Sequence, residues 1–129
     1  MLKFDLLAGR RLETVRLGHA IILGFTGGHE LLIEADAHLD GPGGRIDVVP
    51  GDDPSDAVAT LLGDVVRSAY TRDTGELEII FDSGWRLLVD ADADVESWAV
   101  AGPDGVLIVC VARGEVAVWG RPGSQRATA

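Results

Sequence analysis

The chain contains two stretches, 56 residues apart, that read almost as copies of each other. Residues 25–38 are F-T-G-G-H-E-L-L-I-E-A-D-A-H, and residues 81–94 are F-D-S-G-W-R-L-L-V-D-A-D-A-D. Seven of the fourteen positions are identical, whereas average residue frequencies would give about one identity by chance. We therefore interpret the chain as a duplicated β unit, which constrains its fold far more than its function.

Length and charge restrict the class of protein. The chain has 129 residues, of which 47% are apolar, so it is long and apolar enough to build one domain with a core. Its net charge of −10 argues against nucleic acid and against an anionic membrane surface, since both attract basic proteins. A basic protein partner would be attracted.

The single cysteine excludes a disulfide framework within the chain. Cys110 lies in the run V-L-I-V-C-V-A, where we expect a buried thiol with a raised pKa and little reactivity. The apolar run 106–112 is too short to span a bilayer. The start M-L-K-F-D lacks the pattern of a signal peptide, and we expect a cytoplasmic protein.

Alternation predicts one β-hairpin in each copy. Residues 21–25 (I-I-L-G-F) and 77–81 (L-E-I-I-F) place apolar side chains at every second position, the period of a half-buried strand. Glycine-containing turns follow each of these strands. The returning strands are expected at 30–35 and 86–91.

Further strands and one helix complete the prediction. The second copy continues with strands at 98–101, 106–112 and 115–119, and its turn Gly-Pro-Asp-Gly at 102–105 is echoed by Gly-Pro-Gly-Gly at 41–44, before 45–49. A helix is predicted at 54–62, with Asp53 as its cap and Gly63 at its end. The tail 121–129 is expected to be disordered.

The predicted fold is mainly β. Two related antiparallel β-meander units, at about 6–50 and 61–120, are joined by the short helix and packed as a sandwich or a partly open barrel. Together they form one globular domain, residues 1–120.

The acidic run D-A-D-A-D-V-E at 90–96 resembles the start of a calcium loop. Val95 stands where such a loop needs glycine, and Ala101 stands where it needs glutamate. We therefore interpret the run as a solvated strand edge whose charge discourages pairing with another strand. A weak site for a divalent ion is the alternative, and we predict no metal site.

No catalytic or cofactor motif is present. His19, His29 and His38 lack a second ligand at zinc spacing. His29 is expected at the surface. His38 is close in sequence to Asp36 and Asp40, and its charged form is favoured if those acids approach it. It would need a cleft and a nucleophile to act as a base. No serine lies in a G-x-S-x-G elbow and no glycine-rich loop has the lysine of a phosphate loop, so we predict no enzyme and no cofactor.

The tryptophans suggest a contact surface. Trp98 and Trp119 are expected in the core, whereas Trp85, at its turn, marks a contact surface. With four neighbours it forms the candidate interaction surface: Trp85, Arg86, Asp90, Asp92 and Asp94. A pocket between the repeats near His38 and Trp98 is the alternative site.

The C-terminal half carries a family resemblance. The runs V-E-S-W-A-V-A-G-P-D-G at 95–105 and G-E-V-A-V-W at 114–119 resemble a family of small actinobacterial proteins of unknown function, with the signature Trp…Gly-Pro-x-Gly…Gly-Glu…Trp. The resemblance covers residues 6–120. Family members often have Pro-Gly-Gly before Gly-Glu, where this chain has Ala112-Arg113-Gly114. The resemblance implies no activity.

Three functions are compatible with these observations. The first is a non-enzymatic protein-interaction module that binds either an unknown protein partner or, as a homodimer through an exposed strand edge, a second copy of itself. The second is an immunity-type inhibitor of a basic toxin, by analogy with other small acidic β proteins. The third is a small-ligand-binding protein or enzyme with a pocket between the repeats.

Overall fold

The structure, a computed structural model, describes residues 2–3, 6–50, 56–92, 94, 96–103, 105–110 and 115–119, with backbone alone at 2–3, 56 and 119. It contains twelve strands and one 3-10 helix among these residues. The strands are β1 (Leu2–Lys3), β2 (Leu12–Leu17), β3 (Ile21–Phe25), β4 (His29–Ile33), β5 (Ala37–Gly41), β6 (Gly44–Val48), β7 (Val66–Thr71), β8 (Leu77–Phe81), β9 (Arg86–Val89), β10 (Trp98–Ala101), β11 (Leu107–Cys110) and β12 (Val116–Trp119).

The strands form two antiparallel, six-stranded sheets. The first sheet has the order β1-β7-β8-β9-β5-β6, and the second has the order β12-β11-β10-β4-β3-β2. Both sheets remain open, and their apolar inner faces form one core between them. The predicted mainly β sandwich is therefore confirmed.

The two repeats interlock. The first contributes the meander β2–β4 to the second sheet and then crosses over to add the hairpin β5–β6 to the first sheet. The second repeat does the reverse with β7–β9 and then β10–β11. Equivalent contacts join them, because Ala37 pairs with Val89 just as Trp98 pairs with Ile33. Each sheet is therefore a meander of one repeat extended by a hairpin of the other.

Alternation decides which side chains enter the core. Ile21, Leu23 and Phe25 are buried in the first repeat, and residues 77, 79 and 81 are buried in the second. Trp98 is 1% exposed, and its indole N–H donates to the carbonyl of Gly75 at 2.9 Å. Cys110 is also buried, and this burial raises the pKa of its thiol.

Glycines close the hairpins as predicted. Gly28 and Gly84 hold the same place in the two β-hairpin turns and have φ values of 82° and 97°, a region that disfavours other residues. Gly44 and Gly105 form a second matched pair, at 112° and 77°. The turn chemistry is therefore duplicated together with the strands.

The helix differs from its prediction. It is a 3-10 helix, Asp56–Leu61, because six residues form little more than one regular turn and short segments favour i→i+3 bonding. It places Val58 and Leu61 in the core. Asp53 and Pro54, the predicted tail 121–129 and the turn 112–114 lie outside the described residues.

Candidate functional site

The outer faces of the two sheets differ sharply. On the first sheet, cross-strand partners form a row that we term the charged row: Tyr70, Glu78, Leu88, His38 and Asp47. On the second sheet, they form a row that we term the apolar row: Ile22, Leu32, Ala99, Val109 and Ala117.

Three positions of each row correspond in the duplicated unit. Leu32 and Leu88 are the second leucines of the repeated Leu-Leu pair, and Ala99 and His38 are their neighbours on the strand from the other repeat. In the same way, Ile22 of one row corresponds to Glu78 of the other. The core-facing residues stayed apolar in both copies, so the duplication diverged on its outer surface.

His38 lies between two carboxylates in the charged row. Its Nδ1 lies 2.8 Å from Asp47 Oδ1, and its Nε2 lies 3.3 Å from Asp90 Oδ2. The hydrogen bond to Asp47 is the largest cause that raises the pKa of His38, burial opposes it, and Asp90 adds to the increase. The imidazolium form therefore links β6, β5 and the end of β9.

Glu78 is the second centre of this face. Its carboxylate accepts from Arg72 Nη2 at 2.7 Å and lies 2.9 Å from Arg86 Nη2. The side chain is 12% exposed, so two guanidinium groups shield a carboxylate that is largely removed from water. Glu78 is therefore paired with a guanidinium group on each side.

His38 and the two arginines that pair with Glu78 border one small hollow of about 150 Å³. Its polar lining is supplied by His38, Arg45, Arg72, Glu76, Arg86 and Asp90. The described lining contains no serine, threonine or cysteine, and its volume is below the roughly 300 Å³ of typical ligand pockets. The geometry supplies charge pairing without a nucleophile beside His38.

The apolar row lies on a sheet face that would ordinarily be polar. Ile22 and Leu32 are half-buried, with the small side chains of Ala99 and Ala117 beside them in the row. At the rim, Arg16 and Glu30 form an exposed ion pair with an Nη2–Oε2 distance of 3.5 Å. The result is a shallow apolar surface with charged groups at its border.

Four carboxylates gather where the chain crosses between the sheets. Glu34 and Asp36 of the first crossover and Asp90 and Asp92 of the second line an open hollow of about 340 Å³. The two crossovers touch, since the backbone N–H of Asp90 donates to the carbonyl of Asp36 at 2.9 Å. We refer to these four residues as the acidic end.

The structure brings together some of the residues that the sequence singled out. His38, Arg86 and Asp90 border the same hollow. Asp92 lies at the acidic end, and its carboxylate accepts from the backbone N–H of Asp94 at 2.8 Å. No group of three or more His, Cys, Asp or Glu residues in the described part of the chain could hold a metal ion.

The two tryptophans of the predicted sites lie apart from these groups. Trp85 is half-buried, and its ring covers Gly41 so closely that a Cβ there would overlap it. Trp98 is in the core and does not line the hollow beside His38. The structure therefore does not join His38 and Trp98 in one pocket.

The predicted surface position of His29 is wrong. The residue is 4% exposed, and its Nδ1 lies 3.3 Å from the carbonyl oxygen of Thr26. Its ring also packs against Gly102, because a Cβ at Gly102 would meet it at 3.3 Å. The alignment with Trp85 misled the prediction, since the two turns have different neighbours.

Sequence reasoning missed Asp47, the partner that most affects His38. A signal was available, because the two-residue turn Pro42-Gly43 fixes the hairpin register and places position 38 opposite position 47. Arg72 was missed for a different reason, because its contact with Glu78 depends on the bend between β7 and β8. In that bend the backbone N–H of Arg72 donates to the carbonyl of Glu76, and its guanidinium donates to the carboxylate of Glu78.

Comparison with known proteins gives one match. Residues 4–120 match the model of a family described as "Family of unknown function (DUF6188)". The chain belongs to this family. The predicted resemblance to a family of unknown function is thereby confirmed at that level, over nearly the whole DUF6188 chain. No curated protein and no solved structure matches it.

Among the described residues, no helix has the length and apolar character needed to cross a membrane.

Proposed function

We propose that this DUF6188 protein is a non-enzymatic protein-interaction module whose contact surface is the apolar row. One observation carries the proposal. At two corresponding positions of the duplicated unit, Ile22 and Ala99 lie on the outer face of the second sheet, where the first sheet has Glu78 and His38.

The fold does not require an apolar residue at either of these outer positions. The charged row demonstrates that Glu78 and His38 are tolerated at these outer positions, so the sandwich does not need Ile22 and Ala99 there for stability. The apolar row is only partly exposed, since four of its residues are half-buried and Val109 is 6% exposed. Exposed apolar surface in native proteins commonly marks a contact with another protein. Binding a partner would remove this surface from water.

The shape of the surface indicates the kind of partner. Ala99 and Ala117 place small side chains beside Val109 in the row, and Ala99 also neighbours Leu32. Aromatic or aliphatic side chains of a partner commonly pack at the centres of interfaces. The Arg16–Glu30 pair at the rim offers charges of both signs for orientation. A folded protein with a flat apolar patch satisfies both features.

The duplication supplies a matched test. Leu32→Thr and Leu88→Thr make the same substitution at the corresponding positions of the apolar and charged rows. Each variant and the wild-type protein is immobilised and exposed to lysate of the source organism, and bound proteins are quantified by mass spectrometry. We expect a protein retained by the wild type and by Leu88→Thr to be reduced at least about tenfold on Leu32→Thr.

Circular dichroism and urea denaturation of both variants establish that they fold. Equal retention by the two folded variants, or no protein enriched over a blank resin, would contradict the assignment of the apolar row as the contact surface.

The acidic end favours a second candidate, an immunity-type inhibitor of a basic toxin. Its four carboxylates line one hollow, and the net charge of −10 would accelerate encounter with a basic protein. The test is coexpression with a basic protein encoded beside the gene. We expect the paired variant Asp36→Asn with Asp92→Asn to weaken binding and reduce its salt dependence, while the exposed control Glu13→Gln leaves both unchanged.

The finer description of the family as small actinobacterial proteins with the Trp…Gly-Pro-x-Gly…Gly-Glu…Trp signature is part of this proposal. Sequences of further members test it directly.

A further inference from the structure

We propose that the edge strand β6 pairs with β6 of a second copy of this chain, in antiparallel register about a twofold axis at Ile46. The two first sheets would then form one continuous sheet. This inference goes beyond the proposed function and is independent of it, because it uses the edge of the first sheet and not the apolar row of the second.

The edge itself is open in the described part of the chain. β6 pairs with β5 on one side and has no strand on its other side among the described residues. Residues 44–47 are all exposed, and Ile46 is 38% exposed although it points toward the core side of the sheet. Edge strands with unpaired backbone groups readily accept another strand.

The turn before β6 determines which backbone groups point outward. Gly41 and Gly44 pair across the two-residue turn Pro42-Gly43, and the residues that flank such a turn exchange hydrogen bonds. Hydrogen-bonded and non-hydrogen-bonded pairs alternate along an antiparallel ladder. The backbone N–H and C=O groups of Arg45 and Asp47 therefore face away from β5, toward an added strand.

This geometry allows three symmetric registers with these outward groups. Centring on Arg45 places Arg45 opposite the partner's Arg45, and centring on Asp47 places two aspartates opposite each other. Centring on Ile46 places Arg45 opposite the partner's Asp47, and the symmetry repeats this pair. Like charges directly opposite are destabilising and opposite charges are stabilising, so the charges select the register centred on Ile46.

The contacts within one chain leave these side chains available. Arg45 Nη2 lies 4.0 Å from Asp40 Oδ2, the limit for an ion pair, and its side chain is 56% exposed. The Asp47 side chain is 73% exposed while its Oδ1 contacts His38. In the proposed register, the partner's Arg45 would approach the carboxylate that already contacts His38. The partner's Ile46 would cover the exposed part of Ile46.

A cysteine substitution tests the register. In Ile46→Cys, the two thiols would face each other across a non-hydrogen-bonded pair, where the Cα atoms lie about 4.5 Å apart, within the range of a disulfide. We expect a covalent dimer under mild oxidation, seen on non-reducing gels. Leu62→Cys is the control, because Leu62 is exposed at 47% and lies off the edge. Buried Cys110 should not contribute.

Charge variants test the pairing in a second way. Arg45→Asp makes both edge positions acidic, and Asp47→Arg makes both basic. Each variant alone should dissociate at least about tenfold more readily than the wild type in sedimentation equilibrium. An equimolar mixture should recover dimers, because each acidic position then faces a basic one.

The outcomes separate this inference from the proposed function. A wild-type mass that stays at 13.6 kDa at all concentrations, cross-linking of Ile46→Cys no faster than of Leu62→Cys, or a mixture that stays monomeric would overturn it. Dimers that persist in Leu32→Thr, together with lost partner binding, would support both proposals. A wild-type protein that stays monomeric but still binds its partner would contradict the pairing of β6 and leave the proposed function unaffected.

Discussion

Arg11 and Val65 pair with each other in an isolated antiparallel bridge and also hold the same position in the two repeats. The bonds around them are reciprocal. The backbone N–H of Leu12 donates to the carbonyl of Asp64 at 2.9 Å, and that of Val66 donates to Arg10 at 2.8 Å. A residue that pairs with its own counterpart lies on the pseudo-twofold axis of the duplication. The first residue of β2 and the first residue of β7 each therefore bond to the segment that precedes the other strand.

This symmetry predicts equal effects from Gly9→Ala and Gly63→Ala. The two glycines donate equivalent bonds across the axis, to Val66 and Leu12, both at 2.8 Å. Their φ values are 79° and 88°, and a Cβ at either meets no atom within 4 Å. The loss then comes from backbone strain alone, about 1–2 kcal/mol for each variant. Urea denaturation measures it.

Gly43→Ala is the control, because Gly43 has ordinary φ and equally open surroundings. It should change the free energy of unfolding by less than about 0.5 kcal/mol. A loss in one axis glycine without a similar loss in the other would argue against the equivalence.

Sequence periodicity predicted the layers of this fold but not their connection. The alternation in 21–25 and 77–81 identified buried strands, and the repeated glycines identified hairpin turns. No local sequence pattern indicates which strand the returning chain will pair with. The exchange of β5 and β10 between the sheets depends on long-range pairing, such as Ala37 with Val89, which the periodicity of one segment does not encode.

The candidate site was predictable only in part, because long-range strand pairing also brings its residues together. Arg86 and Asp90 were singled out as neighbours of Trp85, and the structure places them in the lining of the hollow beside His38. The apolar row was visible as Ile22 facing outward where the second copy has Glu78. Its continuation through Ala99 and Val109 required the crossover.

On the outer surface of the second sheet, Gly24 lies close to Thr14, and we expect a substitution at Thr14 to restore the stability lost by a substitution at Gly24. A Cβ at Gly24 would overlap Oγ1 of Thr14 on the neighbouring strand but would lie 3.6 Å from Thr14 Cβ, an ordinary contact. Gly24→Ala should therefore lower the free energy of unfolding by about 1–3 kcal/mol. Adding Thr14→Ala should recover most of that loss.

A double-mutant cycle in urea measures the coupling between these two sites. Additive losses would mean that the overlap with Thr14 is not the cause.

The burial of Trp98 predicts that its substitution lowers the free energy of unfolding more than substitution of Trp85 does. Trp98→Phe removes the indole donor to Gly75 and leaves unfilled volume in the core. We expect a loss of about 2–4 kcal/mol, measured by urea denaturation followed by circular dichroism. Trp85→Phe, at a half-buried position, should lose less than half as much. Equal losses would count against Trp98 as the dominant anchor.

His38 predicts a pH dependence with a defined sign. Its folded-state pKa is raised, mainly by the hydrogen bond to Asp47, so the folded chain holds the proton more tightly than the unfolded chain does. The resulting stabilisation is fully present below the unfolded pKa of about 6.5, and it is lost as the pH rises through the folded pKa. The wild type should therefore exceed His38→Gln in stability by more at about pH 6 than at about pH 9.

Urea denaturation of both proteins at the two pH values measures this difference. NMR titration of the His38 ring provides the microscopic check. Asp47→Asn should return the pKa of His38 toward its ordinary value because it removes the largest cause of the increase. Asp36→Asn changes the net charge equally but removes none of the causes that raise this pKa, so it should leave the His38 titration nearly unchanged. If both variants shifted the titration equally, the overall charge of the protein, and not the contact with Asp47, would control His38.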